Sequence, residues 1–286
     1  MSAHRFSLAR AALAAVFLAS TGCSVLLKAD AEQCETDADC AARGAEFAGT
    51  VCLERVCQAK VVVEVDPKWG CLGHVEPPTS GSMVPVAVKA LDLVSSAPVK
   101  NITAKLCSKY DPLCSSPLDP PGVAADGTIS ATVPSNFQGY FDVQAPGYIP
   151  SLVFLDVVAT AFNPEIFMLP PGVTDSLAEG AGVSVDPMAG FVLAATVDCT
   201  LKVSAGVSVS IAPSAKETGF YVIASGVSPG ATSTDSTGNA GFANVAPGTP
   251  TFTTTRGPGG EKIGEVTTLV RAGSVTYLII PPTPTP

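Results

Sequence analysis

Residues 203–211 read Val-Ser-Ala-Gly-Val-Ser-Val-Ser-Ile. Val203, Ala205, Val207, Val209 and Ile211 fall on one side of an extended chain, and Ser204, Gly206, Ser208 and Ser210 on the other. That is period two, the repeat of a strand with one face on a core and one in water. Val84, Val86, Val88 and Ala90 repeat it against Pro85, Ala87 and Lys89, and Ile102, Ala104 and Leu106 against Thr103, Lys105 and Cys107. Further apolar runs lie at 128–133, 140–145, 152–158, 191–197, 220–224, 251–255, 265–270 and 275–280. Turn signals separate them: Asp126-Gly127, Pro146-Gly147, Pro229-Gly230, Pro247-Gly248 and Pro258-Gly259. No capped amphipathic stretch of 12 or more residues interrupts the pattern. The fold class is therefore all-β. An apolar strand face needs a second sheet to cover it, so many short strands at this spacing predict antiparallel β-sandwiches.

The N-terminus carries a different signal. Arg5 and Arg10 precede an unbroken apolar run over 11–19, then Ser20-Thr21-Gly22-Cys23. A run that short, in that charge order, predicts an export signal over 1–22 and not a membrane span. Gly22-Cys23 resembles the lipobox of bacterial lipoproteins, in which the cysteine becomes the lipidated N-terminus. Ser20 and Thr21 depart from it, since those motifs have Leu and then Ala or Ser there. The resemblance implies lipidation of Cys23, membrane attachment through that lipid and, with Ser24 following, an outer-membrane address. The alternative is cleavage after Ala29-Asp30-Ala31 and release of a soluble secreted chain.

The other cysteines are Cys34, Cys40, Cys52, Cys57, Cys71, Cys107, Cys114 and Cys199. Eight is even, and an exported chain meets an oxidising compartment, so disulfides are expected. No Cys-x2-Cys pair is present, which speaks against a zinc knuckle. Residues 34–57 hold four cysteines and too little apolar surface to fold unaided. Of three connectivities, Cys34–Cys52 with Cys40–Cys57 is preferred. Glu35, Asp37 and Asp39 lack the Gly and the distal Glu of an EF-hand loop and suit capping of a short helix over 38–45. The arrangement resembles small Cys-rich modules of exported bacterial lipoproteins. Cys107 and Cys114 flank a six-residue Pro-containing loop that a local bridge can close, leaving Cys71 with Cys199; Cys71–Cys107 is the rival pairing.

A weak internal repeat recurs at an offset near 105 to 110 residues. The first copy runs through ITAKLC, ADGTISATVP and GYFDVQAPGY, and the second through VSVSIAPS, TDSTGNAGFANVAPG and TFTTTRGPGG. Asp126, Gly127, Ile129, Val133, Gly139, Tyr140, Pro146, Gly147 and Tyr148 carry it first; Asp235, Gly238, Phe242, Val245, Pro247 and Gly248 carry it second. The pattern resembles the carboxypeptidase regulatory-like domain, a transthyretin-like sandwich, over roughly 70–158 and 188–282. The resemblance implies two tandem sandwiches and says little of function, since function resides in sites grafted on such folds. The expected organisation is a signal at 1–22, an anchor linker and Cys-rich module at 23–59, and a first sandwich at 60–158. A linker with an edge segment at 159–189, a second sandwich at 190–282 and a Pro-rich tail at 283–286 complete it. Independent cores joined by such a linker predict an elongated particle.

Composition narrows function. Sixteen basic against 25 acidic residues give a net charge of −9, which excludes a phosphate-tracking surface and hence nucleic acid as a partner. His4 lies in the signal, so only His74 survives export, too few imidazoles for a catalytic triad or a histidine zinc site. We expect no enzyme, no cofactor and no metal. The expected role is a non-catalytic envelope lipoprotein whose sandwiches serve adhesion or bind a protein or glycan, with Trp69, Tyr110 and Phe137 as candidate contact residues. The alternative is an architectural spacer of an envelope complex. A lone Trp beside a Cys also suits packing on a disulfide.

Overall fold

The computed structural model describes residues 33–59, 66–74, 81–156 and 163–283. The export signal, Cys23 and Ser24 lie outside the described residues. The chain divides into two units, 1–64 and 65–286, and no helix among the described residues is long and apolar enough to cross a membrane.

In the first unit a short helix α1 (Asp37–Ala41) and a single 3-10 turn at Ala45–Phe47 precede a hairpin of β1 (Thr50–Leu53) and β2 (Val56–Ala59). Asp39 Oδ2 accepts from the Thr36 amide at 2.8 Å, and Asp37 Oδ1 from the Cys52 amide at 2.9 Å. Two carboxylates of the acidic run therefore organise backbone. Cys34 bonds Cys52 and Cys40 bonds Cys57, with Cα separations of 5.8 and 5.6 Å. These bridges substitute for a core, as so small a segment requires.

The second unit holds fifteen strands among its described residues. They are β3 (Met83–Asp92), β4 (Thr103–Ser108), β5 (Gly122–Val123), β6 (Thr128–Pro134), β7 (Gln138–Gln144), β8 (Ser151–Asp156) and β9 (Glu165–Met168). After a helix α2 (Val173–Gly180) come β10 (Gly190–Thr196), β11 (Val207–Ala212), β12 (Thr218–Ile223), β13 (Gly226–Ser228), β14 (Asn239–Val245), β15 (Thr251–Arg256), β16 (Lys262–Thr267) and β17 (Val275–Ile280). One sheet has the order β5-β6-β3-β9, another β11-β15-β16, and the largest β13-β12-β14-β10-β17-β8-β7-β4.

These three sheets make two sandwiches. In the first, β5-β6-β3-β9 covers one face of β4-β7-β8, around Val86, Val88, Ile129, Phe141, Val143 and Leu155. In the second, β11-β15-β16 covers β10, β14 and β17, around Val192, Phe242, Phe252, Val266 and Ile280. The internal repeat is visible in the hydrogen bonds. Ala90 N donates to Gly127 O and Val99 N to Ala90 O; 105 to 111 residues later, Thr196 N donates to Gly238 O and Ser204 N to Thr196 O. Asp126 Oδ1 accepts from the Thr128 amide at 3.0 Å and Asp235 Oδ1 from the Thr237 amide at 2.9 Å, so each Asp builds its turn.

Three features depart from the sequence expectation. The sandwiches are not independent bodies, because β17 of the second pairs in parallel with β8 of the first, Val275 opposite Ser151, and fuses two sheets into one of eight strands. The second core consequently includes Tyr140, Leu152 and Phe154 from the first sandwich. Pairing is not purely antiparallel either: β17 also runs parallel to β10, and β9 to β3. Finally, the strand expected at 203–211 starts at Val207, because Gly206 at φ +77° turns the chain and leaves Val203 52% exposed.

The expected linker region contributes two coverings. β9 is an edge strand of the first sandwich. α2 lays Leu177 and Ala178 with Phe191, Phe220 and Val275, on the face of the second sheet that its sandwich partner leaves open.

Two glycines hold the repeat. A Cβ on Gly127 (φ +81°) would stand 2.6 Å from Ala90 O, and one on Gly238 (φ +68°) 2.8 Å from Val203 Cβ. We expect Gly127→Ala or Gly238→Ala to cost about 2–3 kcal/mol through left-handed strain plus collision. Gly147→Ala, at φ +84° with open space around it, should cost about 1 kcal/mol. Denaturant midpoints of the three variants check the order.

Candidate functional site

The connection after β4 is the most heavily fastened loop of the second unit. Cys107 and Cys114 bond, with Cα atoms 5.4 Å apart. Inside that ring the Asp111 amide donates to Ser108 O at 3.0 Å and the Cys114 amide to Asp111 O at 3.0 Å. Asp111 Oδ2 accepts from the Ser116 amide at 2.7 Å, and the Leu118 amide donates to Leu106 O at 2.8 Å. That last bond also satisfies a carbonyl on β4, the edge strand of the largest sheet.

Arg271 fastens the loop to the second sandwich. Its Nε donates to Pro112 O at 2.8 Å, Nη1 to Asp142 Oδ2 at 2.6 Å and Nη2 to Tyr140 Oη at 2.7 Å. Tyr140 Oη donates in turn to Asp111 O at 2.6 Å, and the guanidinium carbon sits 5.4 Å from the Tyr140 ring centroid. Tyr140 is fully buried, and burial raises its pKa, so the hydroxyl keeps the proton it donates. The planar fork of Arg is required for three simultaneous acceptors.

The side chains this loop displays are apolar and in water. Tyr110 is 82% exposed, Leu113 77% and Leu118 44%, and the Lys109 ammonium lies 5.4 Å from the Tyr110 ring centroid. Of the three aromatic candidates, only Tyr110 is free to touch a ligand. Trp69 is 6% exposed and packs on Val207, Ile263 and Leu72, beside the Cys71–Cys199 bridge (Cα separation 5.7 Å). Phe137 packs against the first core. The three do not converge. His74 is exposed in the 66–74 segment, its amide donating to Cys71 O at 2.8 Å.

A concavity lies on the largest sheet, between β9 and α2. It encloses about 260 Å³ and is lined chiefly by apolar side chains, among them Leu93, Ile166, Phe167, Leu177, Leu193 and Tyr277. The Tyr277 hydroxyl donates to Phe167 O.

Several aspartates outside these places build turns. Asp92 Oδ1 accepts from the Ser95 amide at 2.6 Å and its Oδ2 from Tyr148 Oη at 3.0 Å. Asp198 Oδ1 accepts from the Thr200 amide at 2.8 Å. Hydrogen bonds hold the pKa values of Asp92, Asp111, Asp126 and Asp235 below the ordinary carboxylate value. For Asp111 the amide of Ser116 is the largest cause. A carboxyl whose folded pKa is depressed stabilises fully above its unfolded pKa of about 3.9 and loses that contribution as pH falls below it. The protection factor of the Ser116 amide, taken against its intrinsic rate at each pH, should therefore fall between about pH 5 and 2. An unchanged protection factor would refute the Asp111 cap. The sulfurs of Cys34, Cys40 and Cys57 lie within 4.8 Å of one another, but all three belong to disulfides and none is a free thiolate.

Sequence reasoning missed Arg271, Asp142 and the groove. Arg271 lies 129 residues from Asp142 and 159 from Pro112, with no local pattern to mark it. The groove had a signal in the continuous apolar runs Leu152–Leu155 and Phe191–Ala195, which imply strands covered on both faces.

No family model and no curated protein matches the chain. Among solved structures, the major pilin subunit BcpA of Bacillus cereus (D312A variant) is similar over 71% of this chain and 100% of its own, at 10% identity and TM-score 0.27. The shaft pilin SpaA of Lactobacillus rhamnosus GG is similar over 73% and 100%, at 12% identity and TM-score 0.22. The Bacillus anthracis TIE protein is similar over 71% of this chain but 34% of its own, at 10% identity and TM-score 0.26. Values this low carry no inference about the role of this chain.

Proposed function

We propose that the chain is a non-catalytic protein of the cell envelope, exported by residues 1–22, held at the outer membrane through lipid on Cys23, and acting by contact with a protein or glycan ligand. The observation that supports this reading is the 107–118 loop. A disulfide, a carboxylate cap and a half-buried guanidinium fix its backbone, yet it holds Tyr110 and Leu113 in water. Ordering a backbone costs entropy, and a loop ordered in advance binds without that cost. Asp92, Asp126, Asp198 and Asp235 are spent on turns, which suits a scaffold better than acid–base chemistry. The carboxypeptidase regulatory-like resemblance fits the same reading, since such sandwiches serve as frames for grafted sites.

Two measurements test it. Cys23→Ser should abolish fatty-acid labelling and release the chain from membranes; a chain that stays membrane-bound removes the anchor. Labelled mature chain should bind envelope fractions of the producing cell saturably and be displaced by unlabelled chain. Binding that never saturates favours the architectural reading, which the β8–β17 fusion of the two sandwiches supports.

A further inference from the structure

We infer that residues 109–118 form a protein-docking knob, with Tyr110 and Leu113 entering an apolar pocket on a partner protein whose rim is acidic. This rests on the contact reading above and names the class of partner. Interface anchors are rigid, apolar or aromatic side chains that desolvate fully in a partner's pocket, and Tyr is enriched among them. Tyr110 and Leu113 have that character: 82% and 77% exposed on a backbone held at both ends of the ring and at Pro112 O.

The chemistry of the loop selects among ligand classes. Leu113 and Leu118 offer no ring to stack on a sugar, so two of the three exposed apolar side chains do nothing for a glycan. A knob presenting two strongly exposed apolar side chains inserts too little area to hold a chain on a lipid surface. A protein pocket suits both aliphatic and aromatic anchors. Charge sets the rim: the Asp111 carboxylate is engaged by the Ser116 amide, whereas Lys109 stands beside the Tyr110 ring with its ammonium free to meet an acidic group.

The test places a photo-activatable benzophenone side chain at position 110 or 113, and as controls at 201 or 203, which are 57% and 52% exposed in native Leu201 and Val203. Full-length chains are irradiated in the producing cell. One and the same protein adduct should form from 110 and 113 and not from 201 or 203. In isolated envelopes, unlabelled wild-type chain added before irradiation should suppress the adduct at a concentration roughly tenfold or more below that needed by Tyr110→Ser/Leu113→Ser, the scale of losing a hot spot. Both side chains are solvated, so the double variant should unfold at the wild-type midpoint, which separates lost contact from lost fold. Adducts equal to those from 201, a lipid or glycan adduct in place of protein, or equal suppression by the double variant each overturn the knob. Saturable envelope binding that survives the double variant sinks the knob alone; absence of saturable binding by the wild type sinks the contact reading with it.

Discussion

Arg271→Ala lowers the stability of the 65–286 unit by about 3–4 kcal/mol, short of the full cost of breaking a wholly buried ion pair because the guanidinium is only half-buried. The side chains of Arg271 and Asp142 are 23% and 8% exposed, so Asp142 is left charged and without its partner beneath the loop. The Tyr140 hydroxyl loses its donor and Pro112 O its guanidinium at the same time. Arg271→Lys should recover only part of the loss, because one ammonium cannot reproduce the fork. Arg271→Ala combined with Asp142→Ala should cost less than the two single losses added, since the double variant leaves no unpaired charge. Urea unfolding of the four proteins reads this directly. An Arg271→Ala midpoint equal to wild type would refute the clamp.

Cys71→Ala/Cys199→Ala should cost about as much by another route. The bridge spans 128 residues, and loop-closure entropy for that length is worth about 5 kcal/mol, against about 2–3 kcal/mol for the seven-residue separation of Cys107 and Cys114. The bridge fastens the 66–74 segment to the turn after β10, where the Cys199 amide also donates to Lys68 O at 3.0 Å. Trp69 reports the event, because it is the chain's single Trp and is buried against Val207 and Ile263. Its emission should shift to longer wavelength in the double variant at urea concentrations where Cys107→Ala/Cys114→Ala still keeps it buried. Simultaneous transitions in the two variants would show that loop length does not set the difference.

Period-two alternation was legible wherever a strand has one wet face. Val84, Val86 and Val88 are buried as their spacing requires, and the Asp-Gly turns of the repeat sit at matching hydrogen-bonded positions in both sandwiches. What could not be read is how the two sandwiches join. The β8–β17 pairing is a backbone contact between segments 124 residues apart, and side-chain patterning carries no register for it. Apolar residues on both faces of β8 and β10 showed double burial but not which element lies above. The loop site was half legible: the cysteines and Tyr110 marked it, while Arg271, the group that fixes it, arrives from the far end of the unit. Trp69 illustrates the limit of composition, since exposure and burial of a lone aromatic look alike until its neighbours are known.

The fused sheet also sets an order of assembly. During synthesis β8 leaves the ribosome well before β17, so the edge of β8 that β17 will cover waits through more than a hundred residues of chain growth. Long-range parallel pairing forms slowly, and a bare apolar edge is where chains stick to one another. Until β17 arrives, the first sandwich is a template in search of a strand, and a nascent molecule has every neighbouring copy as a rival donor. A chaperone that shields Leu152 to Leu155 until residue 280 has emerged would govern yield more than the final stability does.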